Sequence, residues 1–222
     1  MPLSPQDSKE LVSEKAMLGL YQSIDSLLPN SPKKVIQFIG SRKGEGASTI
    51  ARDFGLIIAR KLGKSVLILD ADQLNPAQHL FFGITPECGW EDLLINDAKL
   101  YGHIDNALYQ IKGSTLYLCP VSPKVVITDH VFESPKIEDL LRQLKERFDL
   151  IIVDSPPALA SPVGAAISRT VDGVVLVFEA ERTRWPVAES AKETIEKSGG
   201  KILGIVLNKR RYHIPDFVYR RL

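Results

Sequence analysis

The sequence predicts an α/β fold, an open three-layer sandwich with a mainly parallel sheet, and three observations predict it. Short apolar runs recur along the chain at Val35–Ile39, Val66–Leu69, Leu116–Leu118, Leu150–Val153, Gly173–Phe178 and Ile202–Leu207. Their hydrophobicity is continuous instead of alternating, as expected of strands covered on both faces. Helical patterns stand between them, at Ser48–Leu62, Pro135–Arg147, Pro162–Arg169 and Trp185–Ser198. Strand and helix in alternation build right-handed βαβ units, which receive ligands at the carboxyl ends of their strands.

The 222 residues, 44% hydrophobic and 25% charged, suit one domain with appended segments and exclude wholesale disorder. Residues 1–32 read as an N-terminal helix and linker. Leu11, Ala16, Leu18, Tyr21, Ile24 and Leu28 stand among polar residues in an amphipathic pattern that Pro29 and Pro32 end. Residues 33–208 form the α/β domain, and residues 209–222 a basic tail with Lys209, Arg210, Arg211, Arg220 and Arg221 against Asp216. The balance of 28 Lys and Arg against 27 Asp and Glu removes any global electrostatic case for nucleic acid, and none is expected as a partner. Cys88 and Cys119 form no CxxC pair, which suits a reduced, cytoplasmic protein. The segment MPLSPQDSKE lacks the basic flank and apolar stretch of a signal peptide, and the apolar runs fall short of a membrane span. Membrane association is therefore expected only through a partner. Trp90 and Trp185 read as packing residues.

The residues after the strands carry the chemistry. The first strand leads into Gly40, Ser41, Arg42, Lys43, Gly44, Glu45, Gly46, Ala47, Ser48 and Thr49, and then directly into a helix. Glycines let successive backbone N–H groups turn toward an anion, and the first turn of the helix adds its own amides and dipole. The stretch is a phosphate loop of degenerate pattern: Ser41 stands where the first glycine of G-x-x-x-x-G-K-[ST] belongs, and Ala47 where the lysine belongs. A missing charge-assisted contact of that kind costs roughly 1.5 to 3 kcal/mol in binding. Phosphoryl transfer suffers more, because its charge develops on the same oxygens. Arg42 and Lys43 are the basic residues placed to substitute, or else they are solvated loop charges.

The second strand ends in Asp70-Ala71-Asp72, and the run Leu150–Val153 delivers Asp154-Ser155-Pro156-Pro157. Carboxylates at strand ends beside a phosphate loop are where a magnesium ion and an attacking hydroxyl are handled. Asp70 is the candidate for metal binding or for positioning a nucleophile, and Asp72 for an accessory catalytic role or a turn cap before Asn75-Pro76. Asp154, with the Ser48 hydroxyl, completes a candidate Mg²⁺ site.

These segments resemble the CpsD/CapB family, cytoplasmic tyrosine autokinases of bacterial capsule and exopolysaccharide synthesis within the deviant P-loop group that includes ParA and MinD. GEGAST resembles the family's GEGKST, VLILDADQLNP its second acidic segment, and DLIIVDSPP its Walker B segment, in a match running from about Lys33 to Lys209. The resemblance implies a P-loop NTPase-like sandwich, ATP and Mg²⁺ as cofactors, and Asn208 near the adenine. It also implies a membrane polysaccharide copolymerase as partner, homo-oligomerisation, and recruitment to the inner membrane by that partner. The chain departs from the pattern at Ala47, at Gln73 where the family has an arginine, and at Val163-Gly164 where it has an Asp-Ala. Met17 and Leu20 replace the arginines that follow the oligomerisation-helix glutamate, here Glu14. Tyr212 and Tyr219 are all that remains of a terminal tyrosine cluster. The expectation is an ATP-binding regulator of polysaccharide synthesis or export with weak or lost kinase activity. The alternatives are an active tyrosine autokinase and a ParA/MinD-like positioning ATPase.

Overall fold

The structure is a computed structural model that describes residues 5–95, 104–125 and 135–210. Tyr212, Tyr219 and most of the basic tail lie outside the described residues. In chain order the elements are α1 (Pro5–Leu27), β1 (Lys34–Gly40), α2 (Ala47–Leu62), β2 (Val66–Asp70), α3 (Gln78–Phe82) and α4 (Trp90–Ile95). A single 3₁₀ turn (Ile104–Ala107) precedes β3 (Tyr109–Gln110) and β4 (Leu116–Cys119). Then follow α5 (Pro135–Arg147), β5 (Leu150–Asp154), α6 (Pro162–Ser168), β6 (Gly173–Glu179), α7 (Trp185–Lys197) and β7 (Ile202–Asn208).

The strands form one seven-stranded sheet in the order β3-β4-β2-β5-β1-β6-β7. Every neighbouring pair is parallel except β3–β4. The continuous apolar runs behave as such runs should: every residue of β1, β2 and β5 is buried, because helices cover both faces. On one face Phe38, Ile68 and Ile152 pack under Phe54 and Ile58 of α2, with Met17 and Ile24 of α1 closing that layer. On the other, Leu67, Leu69, Ile151 and Val153 pack under Leu140 and Leu144 of α5. A smaller cluster sets Leu176 of β6 against Ala191 and Ile195 of α7.

α1 is held to the domain by more than its apolar stripe. Its Glu14 pairs with Lys61 at the end of α2 at 2.8 Å, and Lys34 at the start of β1 reaches back to Asp25 at 2.8 Å. Met17 is buried in this intrachain core.

The sheet register sets the site. Asp70 at the end of β2 and Asp154 at the end of β5 are paired neighbours, and β1 runs on the other side of β5, with Phe38 opposite Asp154. Both strand-end carboxylates and the phosphate loop thus meet at one edge. α3, α4 and β3 were not foreseen from the sequence; each is six residues or fewer, too short to display a period. Trp185 corrects the packing expectation. It is 76% exposed at the head of α7, whose buried stripe is Ala191 and Ile195, whereas Trp90 is fully buried as expected.

Candidate nucleotide site

The loop between β1 and α2 is shaped by two glycines and one buried acid. Gly44 and Gly46 both hold φ +93°, a conformation that other residues adopt only at a cost. At Gly46 space is short as well, since a Cβ would stand 2.2 Å from the Asn208 side-chain amide. The Glu45 carboxylate folds under the loop. It accepts hydrogen bonds from the Ser41 N–H (2.5 Å), the Ser41 hydroxyl (2.7 Å) and the Arg42 N–H (3.0 Å). A fourth comes from the Thr183 hydroxyl of the β6–α7 loop at 2.5 Å. Glu45 is thus a staple within the loop, its charge directed to the loop's own donors.

The end of β7 pins the loop from outside. Asn208 donates through its amide to the Glu45 carbonyl at 2.9 Å, and Lys209 through its ammonium to the Gly44 carbonyl at 2.5 Å. α2 begins at Ala47 with no side-chain cap on its first turn. The first-turn N–H groups of a helix have no partner within it, so those of Ala47, Ser48 and Thr49 are left for an anion, the arrangement that suits a phosphate.

Below the loop lies an acidic floor. Asp70 is fully buried and Asp154 nearly so. Burial pushes both carboxyls above the ordinary range, Asp154 to about 7, and Asp70 is raised further by the charge of Asp154. Asp70 accepts from the Gln78 N–H at 3.2 Å and the Asp72 N–H at 3.3 Å. One oxygen of Asp154 accepts from the Gln78 side-chain amide at 2.7 Å, and the Ser48 hydroxyl also favours its ionised form. Its other oxygen, Oδ1, is buried without a hydrogen-bond partner.

An orphaned carboxylate oxygen beside a second buried acid and a hydroxyl is the donor set a hard divalent cation prefers. No group of three His, Cys, Asp or Glu among the described residues forms a metal cage. A cation here would therefore rest on Asp70, Asp154 and Ser48 and complete its shell from the ligand or water.

Asp72 shapes the turn that follows β2. Its Oδ1 accepts from the N–H groups of Leu74 and Asn75, both at 3.1 Å, which caps the turn before Pro76. Lys43 donates to the Asn75 side chain across this turn, joining the phosphate loop to it. Arg42 and Lys43 are exposed. Gln73 donates to the buried Glu91 at 2.8 Å.

Sequence reasoning missed Gln78, which spans the Ser48 carbonyl (2.9 Å) and Asp154, and Thr183, which locks Glu45. Neither stands at a signalling spacing, and only the sheet order brings them in. A cavity of about 1170 Å³ lies at the far end of α2 near Lys61 and Ser114, away from all of this chemistry.

A seven-stranded, mainly parallel sheet with a phosphate loop after its first strand, an interior one, defines a P-loop NTPase-like fold, and known proteins agree. The family model described as an AAA domain matches residues 33–197. The tyrosine-protein kinase CpsD of Streptococcus agalactiae is 30% identical over 79% of this chain and 75% of that protein. The crystal structure of the VpsO kinase domain superposes with a TM-score of 0.78 at 26% identity, covering 93% of this chain and 98% of that one. The succinoglycan biosynthesis transport protein ExoP of Rhizobium meliloti is 28% identical over 83% of this chain, which corresponds to 23% of that protein. The chain belongs to this AAA-domain family and, within it, to the CpsD/CapB group of bacterial tyrosine-kinase domains.

Proposed function

We propose that the chain is an ATP-binding regulatory protein of capsule or exopolysaccharide synthesis or export whose phosphoryl-transfer activity is weakened by Ala47. One observation carries the reading: a glycine-rich cradle with an uncapped helix turn and an acidic floor has a methyl group where the lysine ammonium belongs. The amides of residues 43–49 bind and orient the phosphates, and Asn208 fixes the loop and faces the base. Ser48, Asp70 and Asp154 would hold Mg²⁺, which when bound would neutralise charge on the phosphate oxygens. In this reading Asp70 also orients an attacking hydroxyl, and Asp72 holds the adjoining turn. Without the lysine, binding loses one charge-assisted contact, about ten- to a hundredfold, while transfer loses stabilisation of the developing charge.

The partner in this reading is a membrane polysaccharide copolymerase, which recruits the chain to the inner membrane. Its support is ExoP, a transport protein of which a comparable domain is about a quarter. Active autokinase chemistry is the second reading. Arg42 favours it, because its guanidinium has no carboxylate partner among the described residues and stands at the loop's rim.

Calorimetric titration with a non-hydrolysable ATP analogue and Mg²⁺ tests the proposal. Micromolar binding that tightens ten- to a hundredfold in Ala47→Lys is expected. No binding by either protein would overturn it.

A further inference from the structure

Gln78, the first residue of α3, is fully buried beside the acids of the floor. Its backbone N–H donates to Asp70 Oδ2 at 3.2 Å. Its side-chain amide spends its hydrogens on two further groups of the site, the Ser48 carbonyl at 2.9 Å and Asp154 Oδ2 at 2.7 Å. A backbone carbonyl can only accept, so the contact with Ser48 fixes which end of the amide is nitrogen. One side chain thus grips the first turn of α2 and the end of β5, while its backbone holds the end of β2.

This grip decides which oxygens of the floor stay open. Asp154 Oδ2 is taken by the amide, and Oδ1 is buried without a hydrogen-bond partner. Both oxygens of Asp70 already accept, Oδ1 from the Asp72 N–H at 3.3 Å and Oδ2 from the Gln78 N–H. Neither acid therefore offers a carboxylate with both oxygens free. The amide's own oxygen, Gln78 Oε1, is a second buried atom without a donor. Because Gln78 is hydrogen-bonded to Asp154, the two open oxygens lie within the span of one amide and one carboxylate. A buried polar atom left unpaired is costly, and a bare cation or a lone N–H would answer only one of them. A hydrated cation answers both, with the metal on the carboxylate oxygen and a bound water donating to the amide oxygen.

We propose that Gln78 sets the choice of cation at this site, by limiting Asp154 to a single-oxygen contact and by accepting, through Oε1, from a water on the cation. Magnesium demands octahedral geometry, dehydrates reluctantly and is held by one or two carboxylates with several waters kept. Calcium takes about six to eight oxygens and readily uses both oxygens of one carboxylate. A floor whose second Asp154 oxygen is occupied, and whose neighbouring amide accepts from water, suits the first ion and under-supplies the second. The inference rests on the reading that Ser48, Asp70 and Asp154 hold the cation accompanying the nucleotide. It adds the residue that discriminates between cations.

The test uses the full chain, freed of metal with a chelator and titrated calorimetrically with the non-hydrolysable ATP analogue at saturating Mg²⁺ and, separately, at saturating Ca²⁺. The unaltered protein should bind the analogue at least about tenfold more tightly with Mg²⁺. Gln78→Met keeps the length of the side chain and removes its donors and its oxygen. Gln78→Asn keeps the amide but is one methylene too short to span Ser48 and Asp154. In both, the preference should fall to about threefold or less, chiefly through tighter binding with Ca²⁺. A residue that merely props Asp154 would weaken binding with both ions alike and leave the ratio where it was. A second readout is the infrared difference between calcium-loaded and metal-free protein labelled with ¹³C at its aspartate carboxyls. The separation of the two carboxylate stretches should narrow in Gln78→Met, the mark of a bidentate contact, and stay wide in the unaltered protein. Should Gln78→Met fail to fold, Gln78→Asn and the unaltered protein carry both measurements. An unchanged ratio in the folded variants, or no preference for Mg²⁺ in an unaltered protein that binds the analogue, would overturn this inference and leave the nucleotide reading standing. Absence of analogue binding with either ion would overturn both.

Discussion

The floor and the rim of the site carry opposite charge and opposite solvent exposure, although one loop separates them. The floor is Asp70, Asp154, Trp90 and Glu45, all buried and tied by directed hydrogen bonds. The rim is Arg42, Lys43, Arg182 and Arg184, all exposed, and the equally exposed Trp185 follows Arg184 in the chain. A lysine at position 47 would have set one cation between the two. Its absence leaves the buried acids of the floor without that counter-charge, apart from the cations of the rim. Buried groups of this sort decide stability, because burial makes an unmet hydrogen bond or charge expensive. Exposed charges decide what is attracted, and water screens them.

The two tryptophans give the sharpest contrast. Trp90 is fully buried and donates through its indole N–H to the Asp70 carbonyl at 2.8 Å. Trp90→Ala should cost about 3 to 5 kcal/mol in chemical denaturation. Glu45→Ala should come next, at roughly 2 to 3 kcal/mol, since it strands two backbone N–H groups and two hydroxyls under the loop. It should also weaken nucleotide binding in the same preparation.

Glu91, beside the floor, adds a dependence on pH. It is buried, accepts from Gln73 and from the Ser122 N–H at 2.6 Å, and burial pushes its carboxyl up to about 7. The folded state then holds a proton that the unfolded chain releases near 4.5, so stability declines between about pH 4.5 and 7 and levels off above. Glu91→Gln should match the unaltered protein at pH 4.5 and exceed it by roughly 1 to 3 kcal/mol at pH 8, measured by denaturation at both values. Trp185→Ala, at the exposed head of α7, should change stability by less than about 0.5 kcal/mol. A large loss there would place Trp185 in the core and erase the contrast.

Legibility from the sequence follows the same division. The strands were readable because full burial leaves continuous apolar runs, and the loop, Asp70 and Asp154 because each directly follows such a run. The floor's supports were not readable. Gln78 reaches Asp154 across 76 positions and Thr183 reaches Glu45 across 138, so no local spacing announces either. The rim escaped for the same reason, since its arginines come from two loops that only the β1–β6 pairing brings together. Trp185 was misread because an aromatic residue at a helix start gives no sign of which way the helix turns its buried stripe.

The central claim is that a phosphate cradle has lost the cation on which transfer depends more than binding does. Transfer of labelled phosphate from ATP at saturating Mg²⁺, compared between the unaltered protein and Ala47→Lys, tests it most directly. The account predicts that the lysine raises the transfer rate by at least about a hundredfold, more than it tightens binding of the analogue. Equal rates in the two proteins, at a level that sustains turnover, would contradict it and would mean that the loop phosphorylates without its lysine.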